Sequence, residues 1–398
     1  MTMDEMKALQ SLFEEKEGVL PFLPNFIPRS FAQPGTRLRL HPDDYYPLGL
    51  ERGAIKERWF VSTVPALNGP LAPPDEGLSY IPLANGGKIA FRDAVAGLGA
   101  RLVGWEVWQQ YGTWPMFAKF FDNETPLFLH LHLCQKDAEA IGMNGKPEAY
   151  FFPHQYNATQ GRFPHTYFGF DPDVTREEVR ARMLHYREED TRITELSRAF
   201  RLQLDTGWYV PPGVVHAPGS LLTYEPQWNS DVNSIYENIT AGEVNPYSQF
   251  SGCAPEDKKE DIDYLLGYLD WEKNTDPHFR KHYFRPPLLC RTGEGFTEEW
   301  IAYGNPFFCA TRLTVQPGAS VCVADPAAYG CILIEGYGRL GAFACETPHV
   351  IRYGRPTADE FFVSAPAAQR GVTIANASAC EPLVLLKHFA LHPDAPRQ

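Results

Sequence analysis

Two histidines separated by a single residue stand in the apolar run LFLHLHLC, which extends from Leu127 to Cys134. In a β-strand, residues i and i+2 point to the same face, so His130 and His132 are expected to project side by side. The leucines between and around them would face the other way. Paired imidazoles of this kind are typical ligands of a divalent transition metal.

Two further residues of a suitable type follow along the chain. Glu148 lies in the apolar run GKPEAYFF, and His216 lies in GWYVPPGVVHAPG. In the second segment a strand at 208–210 meets a Pro-Pro-Gly turn, and a new strand begins at Val214 and carries His216. Three histidines and one glutamate can hold a divalent metal and leave coordination positions open for a substrate.

The elements that must position these residues are mostly strands. Thirty-five prolines and 32 glycines separate short runs rich in Val, Ile, Phe, Tyr and Thr, which predicts a β-rich fold with tight turns. Helices are predicted in three segments, of which the first has Thr175 as its cap. Those segments are 171–186, 193–204 and 256–271. From about residue 305 the pattern consists of strands alone, which indicates a second β unit.

Charge and cysteine usage narrow the class of protein. The formal net charge is −13, and the 36 basic residues are scattered, so neither nucleic acid nor an anionic membrane is expected as a partner. The eight cysteines include no CxxC pair, and the first residues contain no long apolar segment. We therefore expect a cytoplasmic protein, monomeric or homodimeric, that acts on a small molecule.

Several motifs, taken in order, resemble the cupin-fold class I mannose-6-phosphate isomerases. The resemblance extends over about residues 55–238. It is carried by IKERWFVSTVPALNGP, WPMFAKFFDNETPLFLHLHL, GKPEAYFF, TYFGFDPDVTREEV, GWYVPPGVVHAPG and EPQWNSD.

The resemblance implies a fold, a metal and a reaction. The fold class is all-β dominated, with double-stranded β-helix (cupin, jelly-roll) barrels in a bicupin arrangement and helical insertions. The reaction is the aldose–ketose isomerisation of a sugar or sugar phosphate. The implied metal is Zn²⁺, with Mn²⁺, Fe²⁺, Co²⁺ and Ni²⁺ as alternatives. Its ligands fall on four residues: His130, His132, Glu148 and His216. Three others match positions that line the active site and are candidates for proton handling: Lys119, Lys146 and Glu225.

The chemistry of such a reaction agrees with these residue types. Moving a carbonyl between C1 and C2 requires removal of a C–H proton, stabilisation of an enediolate and return of the proton to the neighbouring carbon. A divalent metal stabilises that charge as a Lewis acid. A carboxylate or a lysine of depressed pKa can carry the proton. Lys146 lies two residues before Glu148, so on a regular strand both would share the ligand face.

Two departures from the family's pattern keep other functions open. The family usually has glutamine at the position of His130, and the resulting set of three histidines and one glutamate is used by cupin oxygenases as well. The family also has arginine ten positions after the active-site glutamate, where this chain has Ile235. The alternatives are another cupin enzyme, such as an oxygenase or epimerase, and a sugar-binding cupin without turnover. An unphosphorylated substrate is a further possibility.

The predicted domain organisation has four parts. Residues 1–54 form an N-terminal extension, and residues 55–240 form the metal-bearing barrel with a helical insertion at about 172–204. Residues 241–304 form a helical and loop connection, and residues 305–398 form a degenerate barrel that lacks the metal ligands. Four histidines without a partner pattern are expected at the surface or in a substrate pocket: His154, His165, His278 and His282.

Overall fold

The computed structural model describes residues 1–157 and 163–397. The α-helices in these ranges are α1 (Met3–Glu15), α2 (Phe91–Leu98), α3 (Ala100–Val103), α4 (Trp105–Tyr111), α5 (Gln135–Glu139), α6 (Arg176–Met183), α7 (Tyr247–Ser251), α8 (Ile262–Leu265), α9 (Trp271–Asn274), α10 (Phe279–Tyr283) and α11 (Ala365–Arg370). No helix of the described residues is long and apolar enough to span a membrane.

Strands dominate the fold, as the sequence predicts. They are β1 (Val19–Pro21), β2 (Asn25–Arg29), β3 (Ala54–Phe60), β4 (Tyr80–Pro82), β5 (Lys88–Ala90), β6 (Met116–Phe121), β7 (His130–Leu131), β8 (Glu148–Phe151), β9 (His165–Phe170), β10 (Ser197–Arg201), β11 (Gly207–Val210), β12 (His216–Ala217), β13 (Thr223–Trp228), β14 (Ser234–Ile235), β15 (Ile239–Thr240), β16 (Glu243–Val244), β17 (Phe284–Arg285), β18 (Leu288–Gly293), β19 (Phe296–Ala302), β20 (Cys309–Val315), β21 (Ser320–Val323), β22 (Tyr329–Glu335), β23 (Tyr337–Leu340), β24 (Phe343–Glu346), β25 (Glu360–Val363), β26 (Val372–Asn376) and β27 (Leu383–Phe389).

Two antiparallel sheets form the unit that carries the predicted ligands. The larger sheet has the order β17-β11-β8-β13-β6-β3-β2, and the smaller has the order β10-β9-β12-β7-β14. Glu148 begins β8 in the larger sheet, whereas His130 and His216 lie on β7 and β12 of the smaller one. The predicted ligands therefore come from both sheets and meet between them.

A second pair of sheets lies towards the C-terminus. Its larger sheet has the order β1-β25-β22-β27-β20-β19-β18, and its smaller sheet has the order β21-β26-β23-β24. The strands begin at Leu288, ahead of residue 305, and β1 from the N-terminal segment pairs with β25. Val19 and Leu20 of β1 are apolar and buried, so burial of this short strand explains why the N-terminal segment joins the C-terminal sheet.

The three predicted helical segments have different outcomes. Helix α6 is confirmed, with the side chain of Thr175 accepting from the backbone N–H of Glu178 in a capping box. The helix predicted at 193–204 is wrong, because Ser197–Arg201 forms β10 and pairs with β9. Pairing with a neighbouring strand here outweighs the local helical pattern.

The segment predicted as one helix at 256–271 breaks into short turns. Asp261 accepts from the backbone N–H of Tyr264 and so starts α8, and Asp270 accepts from the backbone N–H of Lys273 and so starts α9. Aspartate side chains that bond nearby backbone N–H groups favour such new starts over a continuous helix.

One apolar core joins the two pairs of sheets. It includes Phe60, Phe120 and Tyr224 from the first unit and Phe362 and Leu386 from the second. Polar contacts cross the same boundary. Arg58 forms a buried ion pair with Asp359 at 2.7 Å, and the Tyr224 hydroxyl is 3.0 Å from His388 Nδ1. The scaffold around the ligands is therefore buttressed by the second unit.

Candidate metal centre and active site

Strand pairing brings the three predicted histidines together. His216 of β12 lies directly opposite His130 of β7, and their ring centroids are 4.2 Å apart. His132 follows the end of β7, with ring centroids 4.9 Å from His130 and 5.0 Å from His216. One potential ligand atom from each histidine lies within 4.8 Å of the others. All three side chains are buried.

Backbone carbonyls orient all three imidazoles. The Nδ1 atoms of His130, His132 and His216 lie 3.0, 2.8 and 3.0 Å from the carbonyl oxygens of Phe128, Val232 and Val214, respectively. A carbonyl can only accept, so each Nδ1 carries the proton and each Nε2 presents a lone pair. A carbonyl partner of this kind is the usual support for a metal-binding histidine.

Burial also favours the neutral form of His130 and His132. Burial and the neighbouring Lys146 lower the pKa of His132 to about 4. Burial and the other two histidines hold the pKa of His130 well below its usual value. Neutral imidazole is the form that binds a metal.

Glu148 faces the histidines from the opposite sheet. Its Oε2 is 3.0 Å from His132 Nε2, and its Oε1 is 3.1 Å from His216 Nε2. The Tyr150 hydroxyl donates to Oε1 at 2.7 Å. Burial opposes ionisation of Glu148, but Lys146 and His132 outweigh it and hold the pKa of this carboxyl well below its usual value.

The donor set fits a divalent metal. His216 Nε2 is buried and has no hydrogen-bond donor among the described residues, whereas Glu148 Oε2 has the Lys146 ammonium at 2.9 Å. An orphaned acceptor such as His216 Nε2 is rare in protein interiors, and a cation shared with Glu148 would satisfy it. His130, His132, His216 and Glu148 together provide three nitrogen donors and one carboxylate.

The three residues expected to handle protons form a buried row beside this centre. Lys119 and Glu225 are cross-strand partners on β6 and β13, and Lys119 Nζ is 3.1 Å from Glu225 Oε1. Lys146 Nζ lies 3.5 Å from the same oxygen and 2.9 Å from Glu148 Oε2. Glu225 therefore lies between two ammonium groups, next to the candidate metal ligand Glu148.

Burial and neighbouring charges shift the pKa values of Glu225 and Lys119 upwards. Burial and the nearby Glu148 carboxylate raise the pKa of Glu225 to about 8, against the opposing effect of the two lysines. Burial lowers the pKa of Lys119, but Glu225 and Glu57 outweigh it and hold that pKa above its usual value. Lys119 is therefore a cation at neutral pH, in contrast to the depressed lysine pKa that the sequence allowed.

Three charged residues that we did not assign from the sequence extend this row. Glu57 Oε2 is 3.9 Å from Lys119 Nζ, and Glu57 Oε1 is 2.9 Å from Arg29 Nε. Arg29 Nη2 is in turn 3.1 Å from Asp231. The sequence contained a signal for Glu57, since this charged residue lies in the strand-like run IKERWF, and in the structure every residue of that run is buried. The sequence did not indicate which charged residues would pair across strands.

The row lies in the wall of a cavity of about 440 Å³, called here the site pocket. Lys119, Lys146, Glu148, Glu225 and two of the histidines line it, whereas His216 is fully buried behind them. Ile235 pairs with His130 across β14 and β7 and also lines the pocket. The segment at 248–253 contributes further lining residues from the predicted connection.

The other histidines lie elsewhere. His154 is exposed and pairs with Asp205 at 2.8 Å, and His282 pairs with Asp276. Neither these two nor His165 and His278 belong to the pocket lining in the described part of the chain.

Comparison with solved structures identifies the fold. No protein-family model matches the sequence, and no curated protein matches it. The mannose 6-phosphate isomerase of Bacillus subtilis is similar, with a TM-score of 0.62 and 16% identity over 93% of this chain and 99% of that one. A variant of phosphomannose isomerase from Salmonella typhimurium has a TM-score of 0.61 and 12% identity, over 94% and 99% of the two chains. A zinc-bound mannose 6-phosphate isomerase gives the same values.

These similarities extend over nearly the whole of each chain. The described structure therefore has the sheet-rich, antiparallel fold of the mannose-6-phosphate isomerases, as the sequence motifs imply. At 12–16% identity the comparison establishes the fold alone, because one fold can carry many different reactions.

Proposed function

We propose that this protein is a metal-dependent aldose–ketose isomerase that acts on a sugar or sugar phosphate. The observation that carries the proposal is the row of Lys119, Glu225 and Lys146 beside the three histidines and Glu148 in one pocket. A metal centre next to groups that can hold and move protons is what this isomerisation requires. The shared fold with mannose-6-phosphate isomerases supports it.

The metal would be held by His130, His132, His216 and Glu148. Zinc is the first candidate, because the donor set suits it and because a similar structure contains it. Mn²⁺, Fe²⁺, Co²⁺ and Ni²⁺ also bind such donors. When bound, the metal supplies Lewis-acid stabilisation of negative charge on sugar oxygens.

The chain's own residues would bind the sugar and move the proton. Glu225 is the proposed proton carrier between C1 and C2, because it is buried in the pocket wall between two ammonium groups. Lys119 and Lys146 are the proposed electrostatic partners, which hold the Glu225 carboxyl in place and stabilise charge that develops on the substrate. Burial of all three side chains keeps bulk water from the reacting carbons.

The alternative is a cupin oxygenase, since three histidines and one glutamate also suit Fe²⁺. The row of lysine and glutamate side chains favours the isomerase, because oxygen activation has no evident use for two buried ammonium groups around a carboxyl. Oxygen uptake by the iron-loaded protein would instead support the oxygenase.

The architecture we propose is a bicupin. Residues 55–240 would form the metal-bearing barrel, and the sheets that begin near Leu288 would form a barrel without metal ligands. Arg370, the last residue of α11, is exposed and donates to the Glu17 carbonyl. All eight cysteines are unpaired, which favours a reducing compartment such as the cytoplasm.

The test is a panel of aldoses and ketoses, with and without phosphate, incubated with metal-loaded protein in deuterated water. An isomerase of this kind should incorporate deuterium at C1 or C2 and convert aldose to ketose, both visible by NMR. Glu225→Gln should retain the metal and lose exchange by roughly 10²–10⁴-fold. Absence of exchange with every sugar of the panel would contradict the proposal.

A further inference from the structure

The site pocket contains three cations among its described lining residues, and each of them forms ion pairs with carboxyl groups that also line the pocket. These cations are Arg29, Lys119 and Lys146. All three side chains are buried, with 5–7% of each side chain exposed. Whether any of them is available to a charged substrate depends on the partners it already has.

Arg29 is almost fully occupied. Its Nε and Nη2 donate to the two Glu57 oxygens at 2.9 and 3.1 Å, and Nη2 also donates to Asp231 at 3.1 Å. Its Nη1 donates to Asn68 Oδ1 at 3.0 Å. Asp231 is held in place in turn by the backbone N–H of Leu67 at 2.8 Å. A guanidinium has five N–H donors in a fixed plane. In Arg29 the Nε, Nη1 and Nη2 groups all donate to partners within the pocket wall.

The two lysines are committed in the same way. Lys119 lies between Glu225 at 3.1 Å and Glu57 at 3.9 Å. Lys146 lies between Glu148 at 2.9 Å and Glu225 at 3.5 Å. The row therefore alternates in charge along its whole length, in the order Asp231, Arg29, Glu57, Lys119, Glu225, Lys146 and Glu148.

The row contains more acids than bases. Four carboxyl groups face three cations, so the row has no cation in excess of its acids. A phosphate monoester brings about −1.5 to −2 charge at pH 7. It would have to displace a carboxylate from a buried ion pair or lie against carboxylates without a cation of its own, and both are unfavourable.

The remaining polar lining suits an uncharged ligand. Ser30, Asn233, Ser248 and Gln249 line the pocket, and their side chains make no hydrogen bond to other described residues. Hydroxyl and amide groups of this kind both donate and accept, as sugar hydroxyls do. Ile235 adds an apolar surface next to His130.

We infer that the site pocket takes an unphosphorylated aldose or ketose in preference to the corresponding 6-phosphate. The inference rests on the proposed isomerase function, which supplies the reaction. The charge of the substrate is inferred from the three cations of the pocket, which are already paired with carboxyl groups. A metal at the histidines would act on the reacting end of the sugar and is no partner for a phosphate at the far end.

The test compares kcat/KM for mannose, lyxose and mannose 6-phosphate in the metal-loaded wild type. The value for mannose or lyxose should equal or exceed that for mannose 6-phosphate. A higher value for mannose 6-phosphate overturns the inference but leaves the isomerase function standing. In that case Arg162→Ala, which changes a residue outside the described ranges, would tell whether Arg162 supplies the missing cation.

Two variants at one position give a matched comparison. Ile235→Arg adds a cation to the pocket wall, and Ile235→Met keeps the size without the charge. Relative to Ile235→Met, Ile235→Arg should raise the ratio of kcat/KM for mannose 6-phosphate to that for mannose by about tenfold or more. An unchanged ratio in a folded, metal-loaded Ile235→Arg protein counts against the inference. It would mean that the charge of the pocket lining does not decide between mannose and mannose 6-phosphate.

A binding measurement with sugar alcohols tests the inference even if the proposed isomerase function is wrong. If no sugar is isomerised, calorimetric titration with mannitol and with mannitol 6-phosphate still tests which charge the pocket accepts. Binding of mannitol at least as tight as that of its phosphate supports an uncharged ligand. Tighter binding of the phosphate, or binding of neither polyol, overturns the inference.

Discussion

Replacement of Lys119 by methionine separates a catalytic role of this residue from a structural one. The substitution keeps a long apolar side chain but removes the ammonium 3.1 Å from Glu225 and 3.9 Å from Glu57. Removing one partner of a buried ion pair costs about 3–5 kcal/mol of unfolding free energy. Glu225 keeps Lys146 at 3.5 Å and Glu57 keeps Arg29 at 2.9 Å, so we expect a smaller loss, roughly 2 kcal/mol.

The effect on catalysis should be larger than the effect on stability. If Lys119 holds Glu225 in position and stabilises developing charge, kcat/KM should fall by about 10²–10⁴-fold, equivalent to roughly 3–5 kcal/mol of transition-state stabilisation. Metal content should not change, because Lys119 is not a proposed ligand. The assays are ketose formation, the midpoint of urea unfolding and metal analysis of the same preparation.

A matched control comes from the second unit. Lys387 is fully buried and lies 2.7 Å from Glu298 and 2.8 Å from Asp325, outside the site pocket. Lys387→Met should lower stability by at least as much as Lys119→Met while leaving kcat/KM of the folded protein nearly unchanged. A Lys119→Met protein that keeps its metal and loses less than about tenfold in kcat/KM would refute the catalytic role.

Three further predictions concern the supports of the site and of the second unit. Tyr150→Phe removes the hydroxyl that donates to Glu148 at 2.7 Å, so metal affinity should fall by about 10–100-fold in a chelator competition; unchanged affinity would argue against Glu148 as a ligand. Asn274 accepts from the Val215 N–H at 2.9 Å and donates to the Gly213 carbonyl at 2.7 Å. Asn274→Ala should therefore cost about 1–3 kcal/mol in urea unfolding and weaken metal binding through His216, whereas full affinity would show that this turn does not position the ligand. Burial raises the pKa of Glu298, but Lys387 and Arg291 outweigh it and lower that pKa from 4.5 to about 2. The unfolded chain thus binds more protons than the folded one in this range, so the contribution of Glu298 is complete above about pH 4.5 and is lost as the pH falls towards 2. Glu298→Gln should remove that part of the acid dependence, and an identical pH profile for both proteins would contradict the assignment.

The sequence indicated the four candidate ligands because part of their signal is local. The period of two in a strand places His130 beside His132, and Pro-Pro-Gly marks the turn before His216. The proximity of Lys146 and Glu148 was also predictable, since they are two positions apart, and their side chains are 2.9 Å apart. Local order was sufficient for these two pairs, whereas the meeting of His216 and Glu148 with His130 and His132 depends on strand pairing and was implied by the family resemblance.

The rest depends on pairing between distant strands. Arg29, Glu57 and Asp231 come from separate parts of the chain, and no periodicity indicates that they share one row of charges. The direction of the Lys119 pKa shift depends on the same contacts. The strand at Ser197–Arg201 was missed for a related reason, since its partner β9 fixes its conformation.

Metal content is the decisive measurement for the proposed site, because every proposed catalytic step takes place beside the three histidines and Glu148. Wild-type protein and a His132→Ala, His216→Ala double variant should be purified in parallel, loaded with Zn²⁺, dialysed and measured by elemental analysis. We expect about one divalent ion per wild-type chain and almost none in the double variant, since the two remaining ligands cannot hold the ion tightly. A folded double variant that retains a full equivalent of metal would contradict it.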